Sequence, residues 1–326
     1  VIRDWRLERD AALVDLEREK KPEVRAEIAE TLCQLATDVS QDELNEFSPV
    51  VVRLLGDRQP ELRCGGLALG AQILPLDEAR LLLSRHLADE TERIRVEAAG
   101  RLADLAIPEA RGALAQALTD ESFSVRFEAA RGMAALKHKA GLETLVEALD
   151  EVGLRFRALA ILGELAEPEA LPHVRRIFDK WLLPGFERTQ AAGTLAMLGD
   201  TTGIEHLLKR ARKRWSPDRA LSLELLGRVK ADGAREVLTR ALTEPKDTCR
   251  GAAARALGLF GGPGVLEVLV KTLEEPGLDD DVRLDLAEGL CHLGSPEALA
   301  QAARVKVESE DARNELQAML RDREAA

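Results

Sequence analysis

Tyrosine is missing from this chain of 326 residues, and aromatic side chains make up only 3% of it. The shortage argues against a sheet, because strand-forming residues are too scattered to alternate, while abundant Ala, Leu, Glu and Arg favour helices. Cysteine is also scarce: Cys33, Cys64, Cys249 and Cys291 lie far apart with no C-x-x-C pair. That spacing suits reduced, buried thiols in a cytoplasmic protein better than disulfides or a zinc site. No apolar run approaches the roughly 18 to 20 residues needed to cross a bilayer, and no signal peptide opens the sequence. There is no P-loop, no G-x-G-x-x-G after a strand and no G-x-S-x-G. Gly261, Gly262 and Gly264 read as turn residues. Positive charge is deficient too. A formal net of -12 excludes a protein that simply coats a nucleic-acid backbone.

What is present is a repeat. The stretch from Glu121 to Leu136, ESFSVRFEAARGMAAL, returns about every 31 residues. Read as a helix, it puts Val125, Ala129, Ala130, Met133 and Leu136 on one stripe, with Glu128, Arg131 and Ala135 opposite. An arginine opens each copy: Arg25, Arg63, Arg95, Arg126, Arg155, Arg188, Arg219, Arg250, Arg283 and Arg313. So steady a period marks an α-solenoid, whose units are each too small to bury an apolar face alone and must stack. The expected fold is all-α, about ten two-helix repeats in one domain over residues 1–326, with 1–20 and 308–326 as capping ends.

Two units depart from the pattern. The sixth joins its helices through Asp179 to Gly185 (DKWLLPG), apolar where the others carry charge. The first helix of the seventh ends in a basic run, Lys209 to Trp215 (KRARKRW). Residues 1–106 and 215–326 carry net charges of -7 and -6, whereas 107–214 carry +1. A polar linker is expected near Asp38 to Asp42, and Arg321 to Ala326 are expected to fray.

Linkers recur at Ile107 to Ala110 (IPEA), Ala166 to Ala170 (AEPEA) and Gly294 to Ala298 (GSPEA). The V-R-x-E-A-A core at Val125 to Ala130 is echoed at Arg95 to Ala99. On these residues the chain resembles the HEAT-repeat family over nearly its whole length, in particular the short bacterial form also seen in phycobilin lyase subunits. The resemblance implies a right-handed α-α superhelix whose second helices line a concave face. It also implies that each recurring arginine pairs with an acid in the inter-helix turn, a structural role rather than an anion track. Asp57, Asp89 and Asp120 precede their own arginine by six residues, and Glu19 precedes Arg25 likewise. Later units lack that acid, which predicts a weaker ladder there.

Positions two, five and nine after each arginine then face the groove. They include Glu27, Glu30, Glu97, Asp104 and Glu128 early, Glu224, Asp285 and Glu288 late, and Arg131, Arg157, Arg255, Gln190 and Gly193 between. Seven of the ten aromatics fall between Phe123 and Trp215. Phe127 and Phe156 follow their arginines at the groove edge, and Trp181 and Trp215 sit in connections. The expected partner-binding set is Glu27, Glu30, Glu97, Glu128, Arg131, Arg157, Phe127, Phe156, Trp181 and Trp215. They serve a non-enzymatic scaffold that holds a basic or amphipathic segment of another protein, without cofactor, metal or membrane. The resemblance carries two alternatives: a chromophore-handling subunit like the phycobilin lyases, which needs a tetrapyrrole, and a DNA-binding protein like the HEAT-like alkylpurine DNA glycosylases, which the groove charge opposes. HEAT-type hydroxylases hold iron with His-Glu pairs. Here His86, His138, His173, His206 and His292 lie in different units, and no H-E pair exists.

Overall fold

A computed structural model describes residues 4–37, 39–40 and 43–324. Asp38 and Asp42, which bound the expected polar linker, and Ala325 and Ala326 at the expected frayed end lie outside the described residues. Arg321 itself is helical.

In four of the pairs the second helix starts where its turn supplies an aspartate acceptor. Asp57, Asp89, Asp120 and Asp247 each accept, on Oδ1, the backbone N–H two residues ahead, at 2.8–3.0 Å. This side-chain turn holds the chain in the extended geometry from which a helix begins. Ser122 continues the cap by accepting from the Val125 N–H. At the other end, Ala106 and Ala166 adopt left-handed backbone (φ 48° and 56°) where the third copy of the linker motif has Gly294 (φ 66°). The recurring P-E-A linker is thus a left-handed helix stop followed by a proline-led start.

The described residues form twenty α-helices and four short 3-10 turns, with no strand among them, and the fold is an α-solenoid of two-helix repeats. One compact unit, residues 1–148, contains α1 (Trp5–Arg18), α2 (Pro22–Thr37), α3 (Ser48–Leu55), α4 (Pro60–Ile73), α5 (Leu76–His86), α6 (Glu92–Leu105), α7 (Arg111–Ala117), α8 (Phe123–Ala135) and α9 (Leu142–Glu147). In it the second helices stack in chain order, α2 on α4, α4 on α6, α6 on α8. Ala98, Ala99, Ala129 and Ala130 are fully buried, so α6 and α8 approach closely. The other unit, residues 149–326, contains α10 (Arg155–Leu165), α11 (Leu171–Phe178), α12 (Gly185–Met197), α13 (Thr201–Ala211), α14 (Arg219–Val229), α15 (Ala234–Thr243), α16 (Arg250–Phe260), α17 (Val265–Leu273), α18 (Asp280–Leu293), α19 (Pro296–Ala302) and α20 (Glu310–Glu324). Here α10, α12, α14, α16, α18 and α20 stack in the same order. Backbone meets backbone in this stack: a Cβ added at Gly227 would lie 2.7 Å from Ala256 Cα, and one at Gly258 would lie 2.7 Å from Gly289 Cα.

The arginine ladder departs from its expected wiring in one way and follows it in another. First, an arginine that pairs with an acid reaches one in the following unit, not its own. Arg25 pairs with Asp57, Arg63 with Asp89 at 3.1 Å, and Arg95 with Asp120 at 2.9 Å. Its own turn is met through backbone: Arg25, Arg95 and Arg126 each donate to the carbonyl six residues before them. Asp57 and Asp89 therefore fix their own turn with one oxygen and staple the preceding unit with the other, and Asp120 does both through Oδ1 while Oδ2 also takes Arg95. Second, the ladder thins in the later units without ending: among the described residues Arg188, Arg283 and Arg313 donate only to backbone carbonyls, and three others keep an acid. Arg155 meets Glu187 at 2.9 Å, Arg219 grips Asp247 with two bonds of 2.5 and 2.7 Å, and Arg250 meets Glu275 at 2.5 Å. Their acids come from the next unit at other offsets, Glu187 from within α12 and Asp247 and Glu275 from turns, so a search at minus six misses them. All three arginines are buried. Burial works against the charge of Asp247, yet the Arg219 guanidinium holds its carboxyl below the usual range.

Candidate functional site

The second-helix face of the first unit offers an open groove. Between α2, α4 and α6 lies a cavity of about 470 Å³ lined by Glu30, Cys33, Gln34, Leu69, Gln72, Arg101, Asp104 and Leu105. Glu27 and Glu30 stand exposed on α2. Among the described residues no cation lies within ion-pair distance of either. Burial pushes the Cys33 thiol up to about 11, so it faces the groove as a neutral, weakly polar group. Of the four cysteines Cys291 alone is buried, and Cys33, Cys64 and Cys249 are half-buried, a correction to the expectation of four buried thiols.

Further along, the expected acidic stripe is neutralised from within. Arg101 donates to Glu97 at 2.8 Å. Arg131 on α8 donates to Glu128 at 2.6 Å, to Asp104 on α6 at 2.7 Å and to the Gly100 carbonyl at 2.8 Å. Burial opposes the Arg131 charge, but the bonds to Glu128 and Asp104 outweigh it and hold its pKa above the usual guanidinium range. Glu97, Glu128 and Arg131 thus share charge with neighbours, and only Glu27 and Glu30 remain as bare acid. Phe127 is corrected as well. It is 1% exposed and packed inside, out of reach of a partner.

In the second unit Arg157 is exposed on α10, and Phe156 is half-buried with its ring centroid 5.8 Å from that of Phe186. Gln190 and Gly193, expected to face the groove, are buried, and Leu225 closes over Gly193. Arg255 on α16 sits between acids of both neighbours: 2.6 Å from Glu224 on α14, paired with Asp285 on α18, and 3.8 Å from Glu288. The signal for this clamp was in the sequence, an acid about 30 residues to either side of the arginine.

Trp181 and Trp215 are each 85% exposed, in the turns before α12 and α14. Trp181, Leu182, Leu183 and Pro184 line a cavity of about 280 Å³ with Arg155 and Lys180. Next to it, Asp150 accepts two bonds from Arg176 (2.8 and 3.0 Å) and one from Lys180 (3.1 Å). Arg176 first, then Lys180, lower its pKa to about 2. A depressed carboxylate stabilises the fold above its unfolded value of 3.8, and that contribution is lost as pH falls towards 2. Asp150→Asn is therefore expected to flatten the fall of thermal midpoint between pH 4 and pH 2, measured by circular dichroism, and to leave the same slope above pH 5.

No group of three or more His, Cys, Asp or Glu with metal-holding geometry occurs among the described residues. No helix there is long and apolar enough to cross a membrane. The family model for HEAT repeats matches residues 79–153 and 204–291, half of the chain. No curated protein matches. Among solved structures the chain is similar to one in the complex of CpcE and CpcF of phycocyanin lyase from Nostoc sp. PCC7120. The identity is 20%, over 77% of this chain and 94% of that one, with a TM-score of 0.48. It is similar to an engineered protein at 20% identity, over 96% and 98% of the two chains, with a TM-score of 0.41. It is also similar to human deoxyhypusine hydroxylase at 19% identity, over 80% and 99%, with a TM-score of 0.33.

Proposed function

The chain belongs to the HEAT-repeat family, and from that premise we propose that it is a non-enzymatic scaffold holding a basic or amphipathic segment of another protein against the second-helix face of its first unit. The observation that supports this reading is the groove between α2, α4 and α6, with an apolar floor at Leu69 and Leu105, Glu30 on its α2 wall and Glu27 exposed about one turn earlier on α2. An apolar trough with bare carboxylates on one side suits a segment whose apolar face lies down while a lysine or arginine reaches the wall. Glu97, answered by Arg101, and Glu128, answered by Arg131, set the end of the trough, because each already holds an arginine of this chain. One continuous domain over residues 1–326 belongs to the same reading, as does a cytoplasmic setting.

The test is a double charge reversal, Glu27→Lys with Glu30→Lys, on an exposed helix face where the fold tolerates it. The partner captured in a crosslinking pull-down from the host is expected to bind about tenfold more weakly, a change of about 1.4 kcal/mol. Unchanged affinity would remove the groove from the account.

A further inference from the structure

Four large apolar side chains stand exposed on two successive turns of the second unit: Trp181 (85%), Leu182 (73%) and Phe186 (53%) at the start of α12, and Trp215 (85%) before α14. Corresponding turns elsewhere carry Asp57, Asp89, Asp120 and Asp247 in the staple role already described. The aromatic turns are pinned. Arg188 donates to the carbonyls of Lys180 (2.6 Å) and Trp181 (3.3 Å), and Arg214 donates to Lys246 O (2.6 Å) with its guanidinium 5.6 Å from the Trp215 ring centroid. Thr189 of α12 bonds Asp218 beside α14 at 2.5 Å, tying the two turns together.

The charges around them are unevenly committed. Arg175, Arg176 and Lys180 are held by Asp200 and Asp150. Arg212 and Lys213 lie exposed beyond the end of α13, and no carboxylate among the described residues lies within ion-pair distance of them or of Arg214. The sequence places this basic run inside the helix. The structure ends α13 at Ala211 and delivers the bases to the turn beside Trp215. Exposed Asp179 lies two residues before Trp181, and exposed Glu151 follows Asp150, the partner of Lys180. A flat anionic bilayer or a nucleic-acid backbone would meet repulsion there, whereas a peptide can vary its charge along its length.

We propose that the turns before α12 and α14 form a second docking surface, separate from the α2 to α6 groove, for an acidic amphipathic helix of another protein. Neighbouring helices stack about 8–10 Å apart, close to the roughly 10.5 Å covered by seven residues of a helix. The partner places one apolar side chain against Trp181 and Leu182 and another, about seven residues away, against Trp215. Its carboxylates face Arg212, Lys213 and Arg214.

The chain has no tyrosine, and its third tryptophan, Trp5, stacks on Phe47 at 5.3 Å in the other unit. In a Trp5→Phe background, fluorescence therefore reports this surface alone. The probe is a synthetic helical Glu/Leu peptide with its leucines seven residues apart, compared with its Lys/Leu counterpart, phosphatidylserine vesicles and an oligo-dT strand. The acidic peptide is expected to shift the emission to the blue saturably. Arg212→Glu with Lys213→Glu is expected to weaken it at least tenfold, and Glu27→Lys with Glu30→Lys to leave it unchanged. Anisotropy of labelled peptide supplies the readout for Trp181→Ala with Trp215→Ala, also expected to lose tenfold or more. No saturable shift with the acidic peptide, a shift only with vesicles or oligo-dT, or indifference to both pairs of substitutions would overturn the proposal.

Discussion

Arg219→Ala is expected to cost about 3–5 kcal/mol, because removing one member of a buried ion pair leaves the other charged and unpaired in the interior. The side chains of Arg219 and Asp247 are 7% and 6% exposed, so water cannot replace the lost guanidinium without opening the turn. The substitution also frees the Ala211 carbonyl at the end of α13, which Arg219 Nε holds at 2.7 Å. Because each repeat touches only its neighbours, the loss should appear first as local opening. Hydrogen exchange is expected to rise across α13 to α16 while α2 to α6 keep their protection. Asp247→Ala added to Arg219→Ala is expected to recover part of the loss, since it removes the orphaned charge. A double-mutant cycle in urea showing no coupling between the two residues would contradict the staple.

Gly258→Ala is the second large effect. The new methyl would have to occupy space held by Gly289 of α18, and Gly289 itself faces the Ala254 carbonyl of α16 at 2.5 Å from where its own Cβ would stand. The obstacle is backbone, which cannot rotate aside as a side chain can, so the helices must separate. A loss of about 3 kcal/mol is expected, the upper end for overpacking, seen as a lower urea midpoint. Gly112→Ala on α7 is the control. Nothing lies within 4 Å of its added Cβ, and exchange of a helical glycine for alanine there is expected to gain about 0.5–1 kcal/mol. Equal effects at the two positions would mean that propensity, not close approach, governs them.

The helix pairs were legible because a 31-residue period repeats the same apolar stripe, and the second helices begin at or close to where the arginines and prolines place them. Wiring between units was harder. In a periodic chain, an acid six residues before one arginine is also about 25 to 32 residues after the previous one, so the sequence does not say which of the two it serves. The structure answers through the carbonyls: the near arginine takes the backbone and the far one takes the carboxylate. The same ambiguity made the groove look more acidic than it is, because Arg131 and Arg255 are single positions in the sequence but reach several acids at once. Trp181 and Trp215 were legible as exposed for a simpler reason. Neither turn has an aspartate that accepts the amide two residues ahead as Asp57 does, and Asp218 near Trp215 takes Thr189 and Ser216 instead.

The double duty of the ladder aspartates sets the places at which this chain can be shortened. Joining Gly56 directly to Asp89 would hand Arg25 a fresh aspartate in the old position, with Thr91 taking the amide role of Gln59 and the phase of the array intact. A junction that leaves an arginine with no turn aspartate about 25 to 32 residues after it would instead strand that arginine. The natural module of this molecule for deletion, duplication or exchange therefore runs from one turn aspartate to the next, rather than from the start of one helix pair to its end.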